Sequence, residues 1–264
     1  MRRSTPRLLL LVALAVVVVP ASVTASSTRT AGTLNLNAAV TLNHGDVNPS
    51  EPCLPPADEC VPRRMFGPFP GLGQIDGRYE VRADFAEPEC AAPDARVLGH
   101  PLRLAVAGRG VIDLVVADAP CVALEEAVNE AQTFTIIAGT GSYVGASGSG
   151  TMTPSLGPLG DRGRSGRMSL TGTLNVPGLE FDLTPPSMTG AANKTVRAKK
   201  GKKSARVTFR VTALDDREGA LPVSCSPRSG FAFPIGKTRV DCDATDSSAN
   251  SVKSSFTVAV KRRR

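Results

Sequence analysis

Few residue types in this chain could do chemistry. Cysteines stand at positions 53, 60, 90, 121, 225 and 242, with His44 and His100 the two histidines and no tryptophan in 264 residues. Cys225 and Cys242 bracket a loop rich in Pro and Gly, and Asp241, Asp243 and Asp246 crowd the second cysteine. Such a stretch offers a metal site, a redox pair or a stapled pair of strands. No Cys-x-x-C occurs and histidines are scarce, which argues against zinc and against thioredoxin-type exchange. Calcium takes oxygen ligands, but alternate aspartates on a strand project side by side with no enclosing loop. The expectation is no metal ligand and no cofactor, with the aspartates on a solvated strand face.

Catalytic constellations are equally thin. Ser147 and Ser149 sit among glycines but lack the Gly-x-Ser-x-Gly spacing of a nucleophile elbow. His44 neighbours Asp46 in a Pro- and Asn-rich segment, a weak base–orienter pair. Glu125 and Glu126 are adjacent, so on a helix they diverge. No acid–base set converges, and no catalytic residue is expected. Asn193-Lys194-Thr195 has the form of a glycosylation sequon.

The redox setting decides the cysteine chemistry. Arg2, Arg3 and Arg7 precede the apolar run Leu8–Val19, Pro20 and the small residues Val23-Thr24-Ala25. Residues 1–25 read as a secretory signal peptide, since the run is shorter than a membrane span. A secreted, extracellular protein is expected to pair its cysteines. Sequence allows fifteen pairings of six cysteines. Local spacing favours Cys53–Cys60, Cys90–Cys121 and Cys225–Cys242.

The elements that must position these residues read as strands. Gly, Pro, Thr and Val are plentiful and helical stretches scarce, which predicts an all-β protein. Charge divides the chain. Residues 26–186 hold 11 Lys+Arg against 18 Asp+Glu, net −7, whereas residues 187–264 hold 17 against 6, net +11. Two domains are expected, at 31–182 and 183–260, with a basic tail at 261–264.

In the second part Val207, Phe209 and Val211 alternate with polar residues from Ser204 to Ala213. Val240, Cys242 and Ala244 share one face of a later stretch, and Phe256, Val258 and Val260 one face of another. The turn signals LDDREG, SPRSG and TDSSAN separate these pieces, which predicts a small β-sandwich with Cys225 and Cys242 both facing its core. From the leading TPP through PVSCSP, FPIGKTRVDCDATD, SAN and FTV, Leu183–Val260 resembles the hyalin repeat (HYR) module. The resemblance implies an immunoglobulin-like fold and extracellular adhesion or protein contact, and supplies no catalytic residue. Many members carry a further cysteine before the last strand; here that region reads SVKSSF, so one internal bridge is implied.

Basic residues decorate this part: Arg197, Lys199, Lys200, Lys202, Lys203 and Arg206, then Lys261, Arg262, Arg263 and Arg264. They are candidates for binding a polyanion such as a cell-envelope polymer or acidic glycan, against the alternative of a solubilising loop and tail. No aromatic residue interleaves the lysines, so specific nucleic-acid binding is not expected. No membrane span is expected either.

The first part reads as a loop rich in Pro, Gly and Asp over residues 43–71, then strands with Tyr79, Val81 and Ala83 on one face. A hairpin with Leu102, Leu104 and Val106 inward follows, then a short helix or bulge at Ala123–Ala131. Phe134–Thr153 is punctuated by Gly139, Gly141, Gly145, Gly148 and Gly150, which allow sharp bends in a closing sheet. The stretch resembles the glycine signature of allene oxide cyclase-like and dirigent-like β-barrels. That resemblance implies a barrel-like domain, and as an alternative function the binding or isomerisation of a small apolar ligand. The favoured expectation is a secreted or cell-surface interaction protein, with an extracellular protein or envelope polyanion as partner.

Overall fold

The computed structural model describes residues 29–44, 59–84, 90, 95–122, 131–157 and 165–263. The expected signal peptide, Cys53, nearly all of the expected helix at 123–131 and Arg264 lie outside the described residues. The chain is all-β: among the described residues every regular element is a strand, apart from a 3-10 turn at Gly141–Tyr143.

Ten strands build the first body: β1 Arg29–His44, β2 Glu59–Phe69, β3 Gly73–Asp84, β4 Ala95–Leu98, β5 His100–Val106, β6 Gly110–Val116, β7 Ala119–Val122, β8 Gln132–Gly139, β9 Ser147–Leu156 and β10 Ser165–Asp182. They pair in the order β2-β1-β10-β9-β8-β6-β5-β3, and β3 returns to β2. Eight strands thus close an antiparallel barrel, while β4 and β7 extend the far half of β3. Period-two burial explains why these sequences form this wall. His100, Leu102, Leu104 and Val106 of β5 point in, and the outward Arg103 meets Asp113 of β6 at 2.7 Å. Leu34, Leu36, Val40 and Leu42 of β1 point in along its long pairing with β10.

The glycines are architectural, as expected. Gly150 of β9 faces Gly172 of β10, and a Cβ on Gly150 would lie 2.1 Å from the carbonyl oxygen of Thr171 and 2.6 Å from the Phe134 ring. Side chains fill the barrel. The cavity between Phe69, Leu104, Leu114, Phe134 and Leu170 measures about 10 Å³. Small-molecule sites run to roughly 300–1,000 Å³. The apolar ligand of the alternative reading therefore finds no chamber in this part of the interior.

Sequence reading placed residues 43–71 in a loop, yet β2 occupies Glu59–Phe69 and completes the barrel. Its prolines, Pro62 and Pro68, lie outside the four residues that pair with β1, so their missing N–H groups leave that ladder intact.

The second body has nine strands: β11 Ser187–Thr189, β12 Lys194–Arg197, β13 Ser204–Arg206, β14 Thr212–Asp215, β15 Gly219–Leu221, β16 Ser224–Ser226, β17 Ala232–Pro234, β18 Gly236–Thr245 and β19 Ser251–Lys261. Sheets β12-β19-β18-β16, β11-β14-β15 and β13-β17 enclose a core of Val207, Phe233, Val240, Cys242, Phe256, Val258 and Val260. The single strand expected over Ser204–Ala213 is divided. Its alternation persists, but β13 pairs with β17 and β14 with β11 and β15, so the chain crosses between sheets. Ser229 bridges the crossing, accepting from the Phe209 N–H and donating to the Phe209 carbonyl oxygen.

Candidate functional site

Parallel pairing of β12 with β19 sets Arg197 beside Lys261, and the Ala198 N–H donates to the Lys261 carbonyl oxygen at 2.9 Å. Two basic runs more than fifty residues apart in sequence therefore meet at one end of the sandwich. Lys199, Lys200, Lys202 and Lys203 line the turn after β12, where Gly201 takes a φ of 79°. Arg206 is the last residue of β13, and Arg262 and Arg263 continue beyond β19. All of these side chains are exposed, and no acidic side chain among the described residues pairs with them. Such a concentration of like charge raises the local potential and attracts anionic polymers.

The cysteines fall where sequence placed two of the three pairs. Cys225 of β16 lies directly opposite Cys242 of β18 with Cα atoms 4.1 Å apart, so the bridge staples neighbouring strands over the core. Cys90 pairs with Cys121. The expected Cys53–Cys60 pair falls outside the described residues, because Cys53 and the Cys60 side chain do.

The three aspartates near Cys242 do not act together. Asp241 meets Arg239 at 2.7 Å, and Asp243 stands opposite Lys253 on β19. Both are exposed. Asp246 instead turns inward, where its carboxylate accepts from the backbone N–H and the side-chain amide of Asn250, both at 2.8 Å. Burial pushes the Asp246 carboxyl up; Asn250 opposes this, and the charges of Asp182 and Asp215 add to it.

That turn joins the two bodies. Arg109, in the β5–β6 turn of the barrel, donates to the hydroxyls of Ser247 and Ser248 at 3.0 and 2.8 Å. The Gly71 N–H donates to the Ser248 carbonyl oxygen, and the Asn250 amide to the Asp182 carbonyl oxygen. Arg217 reaches Glu180 and Asp182 at the end of β10. Gly73 lets the turn approach, since a Cβ there would lie 2.6 Å from the Ser247 carbonyl oxygen. The stretch TDSSAN was readable as a turn. Its docking was not, because the partners lie some 70 to 180 residues away.

Residues 181–260 match the HYR domain family. The match covers under a third of the chain. HYR domains are immunoglobulin-like and occur in adhesion and extracellular proteins. The match spans the bridge, the docked turn and the basic turn of the HYR module, and ends one residue before Lys261. The resemblance of the barrel to allene oxide cyclase-like and dirigent-like proteins is not confirmed. No curated protein and no solved structure matches the chain.

One polar set in the barrel wall escaped sequence reading. Arg63 of β2 lies opposite Tyr79 of β3, and the Tyr79 ring stacks on His100 with centroids 5.1 Å apart. All three are buried. His100 Nδ1 bonds the Leu98 carbonyl oxygen, while His100 Nε2 has no hydrogen-bond partner among the described residues. Burial lowers the His100 pKa and raises that of Tyr79. Inward parity with Leu102 was the available signal, since it places His100 inside. No helix among the described residues is long and apolar enough to cross a membrane.

Proposed function

We propose that the protein is an exported interaction protein in which the HYR module presents a basic end to anionic polymers outside the cell. The observation that carries this reading is the β12–β19 pairing, which joins Arg197–Arg206 and Lys261–Arg263 into one surface. Export is supported by the HYR match and by the two disulfides, which persist in oxidising compartments. The packed barrel core supports a structural partner for the module over a ligand-binding chamber. Acidic glycans and phosphate-rich envelope polymers are the matching partner chemistry, because the lysines are compact point charges without stacking aromatics.

The test is retention of the full chain on an immobilised sulfated or phosphate polymer. The wild type is expected to bind saturably and to elute as salt screens the contacts. A variant with Lys199, Lys200, Lys202 and Lys203 each changed to Ser is expected to lose most of that retention. Equal retention of wild type and variant contradicts the reading.

A further inference from the structure

The docked turn brings a second charged feature to the opposite end of the module. Strand β18 runs from Gly236 at the basic end to Thr245 at the junction, about 30 Å at roughly 3.3 Å per residue. At the junction, carboxylate oxygens of Asp182, Asp215 and Asp216 all lie within 4.8 Å of one another. They come from the end of barrel strand β10 and from the β14–β15 turn of the module. Asp182 and Asp215 are each only 4% exposed, so water does little to screen their charges from each other.

Hydrogen bonding does not satisfy every oxygen of this cluster. Oδ1 of Asp215 accepts from the Arg217 and Glu218 N–H groups, while Oδ2 is buried with no hydrogen-bond partner among the described residues. Oδ1 of Asp182 accepts from the Thr184 N–H, and its Oδ2 lies 3.5 Å from Arg217 Nε. Arg217 is shared with Glu180, so one guanidinium faces several carboxylates. A buried carboxylate oxygen without a donor or cation is strongly unfavourable. A cation resolves it. Oxygens around calcium sit at about 2.3–2.6 Å from the ion, so pairs of them are separated by distances of the size seen here.

We propose that Asp182, Asp215 and Asp216 bind a calcium ion that locks the HYR module onto the end of the barrel. The exposed Asp216 side leaves room for water ligands, as calcium's six to eight oxygens require. The affinity belongs with extracellular modules, with a dissociation constant on the order of 10⁻⁴–10⁻³ M. The site is independent of the polyanion reading, because its residues lie at the other end of the module.

The experiment is calorimetric titration of the EDTA-stripped full chain with calcium, alongside thermal melts with and without about 5 mM calcium, above the expected dissociation constant. One equivalent of calcium should bind, and the melting temperature should rise by several degrees. Asp215→Asn keeps the Oδ1 bonds and replaces the orphaned oxygen with a donor. It should stay folded in EDTA by far-UV circular dichroism and lose at least ten-fold in calcium affinity. Asp216→Asn, at an exposed position, provides the second folded variant with weakened binding. No binding to the wild type, undiminished binding in both variants, or an equal response to magnesium would overturn the assignment.

Discussion

Replacing Cys225 and Cys242 together by alanine should destabilise the HYR module and leave the barrel nearly untouched. The bridge spans 17 residues, which in the chain-entropy model corresponds to about 3 kcal/mol of lost constraint on the unfolded chain. Removal of the buried Cys242 sulfur adds to this, since that residue belongs to the module core. A domain of about 80 residues has a urea m-value of about 1 kcal/mol/M, so the midpoint should fall by about 3 M. The chain supplies its own probes. It has no tryptophan and two tyrosines, Tyr79 and Tyr143, both in the barrel core. Tyrosine fluorescence therefore reports the barrel, and far-UV circular dichroism reports both bodies. The dichroism transition of the module should move while the fluorescence midpoint stays. A module shift below about 1 M would refute the loop-entropy reasoning behind the 3 kcal/mol. An equal shift in fluorescence would refute the separation of the two cores.

The barrel has its own tests. His100 is buried with its pKa below the ordinary value near 6.5, so the unfolded chain takes up its proton first as pH falls. Its contribution is complete above the unfolded pKa and is lost as pH drops from about 6.5 toward the depressed folded value. The fluorescence-detected urea midpoint should decline over that window, and His100→Phe should flatten the decline. Gly150→Ala places a Cβ against the Thr171 carbonyl oxygen and should cost about 3 kcal/mol, read as a lower barrel melting temperature. An unchanged melting temperature would mean that β9 and β10 can separate freely.

Local pattern carried much of this molecule. The alternation of Val240, Cys242 and Ala244 against Asp241 and Asp243 is a two-residue rhythm that any strand displays, and the structure keeps it. The Cys225–Cys242 pair follows from two core-facing positions joined by a short loop. Long-range pairing was not legible. Strand β2 hides between prolines, and only its partners β1 and β3 reveal it as the closing strand. The meeting of Arg197 with Lys261 depends on a parallel ladder that neither run encodes by itself. Asp215 and Asp216 read as turn residues, and nothing nearby shows Asp182 approaching them. Arg63, Tyr79 and His100 come from three strands, and single-strand periodicity carries no information about which inward residues touch.

Hydrogen exchange of the full chain, with and without a saturating acidic polymer, tests most directly whether the two basic runs form one binding surface. Exchange should slow together in the turn at residues 199–203 and in the segment 259–263, with the barrel unchanged. Protection confined to one of the two runs, or centred on the barrel, would contradict a single basic surface built by β12 and β19.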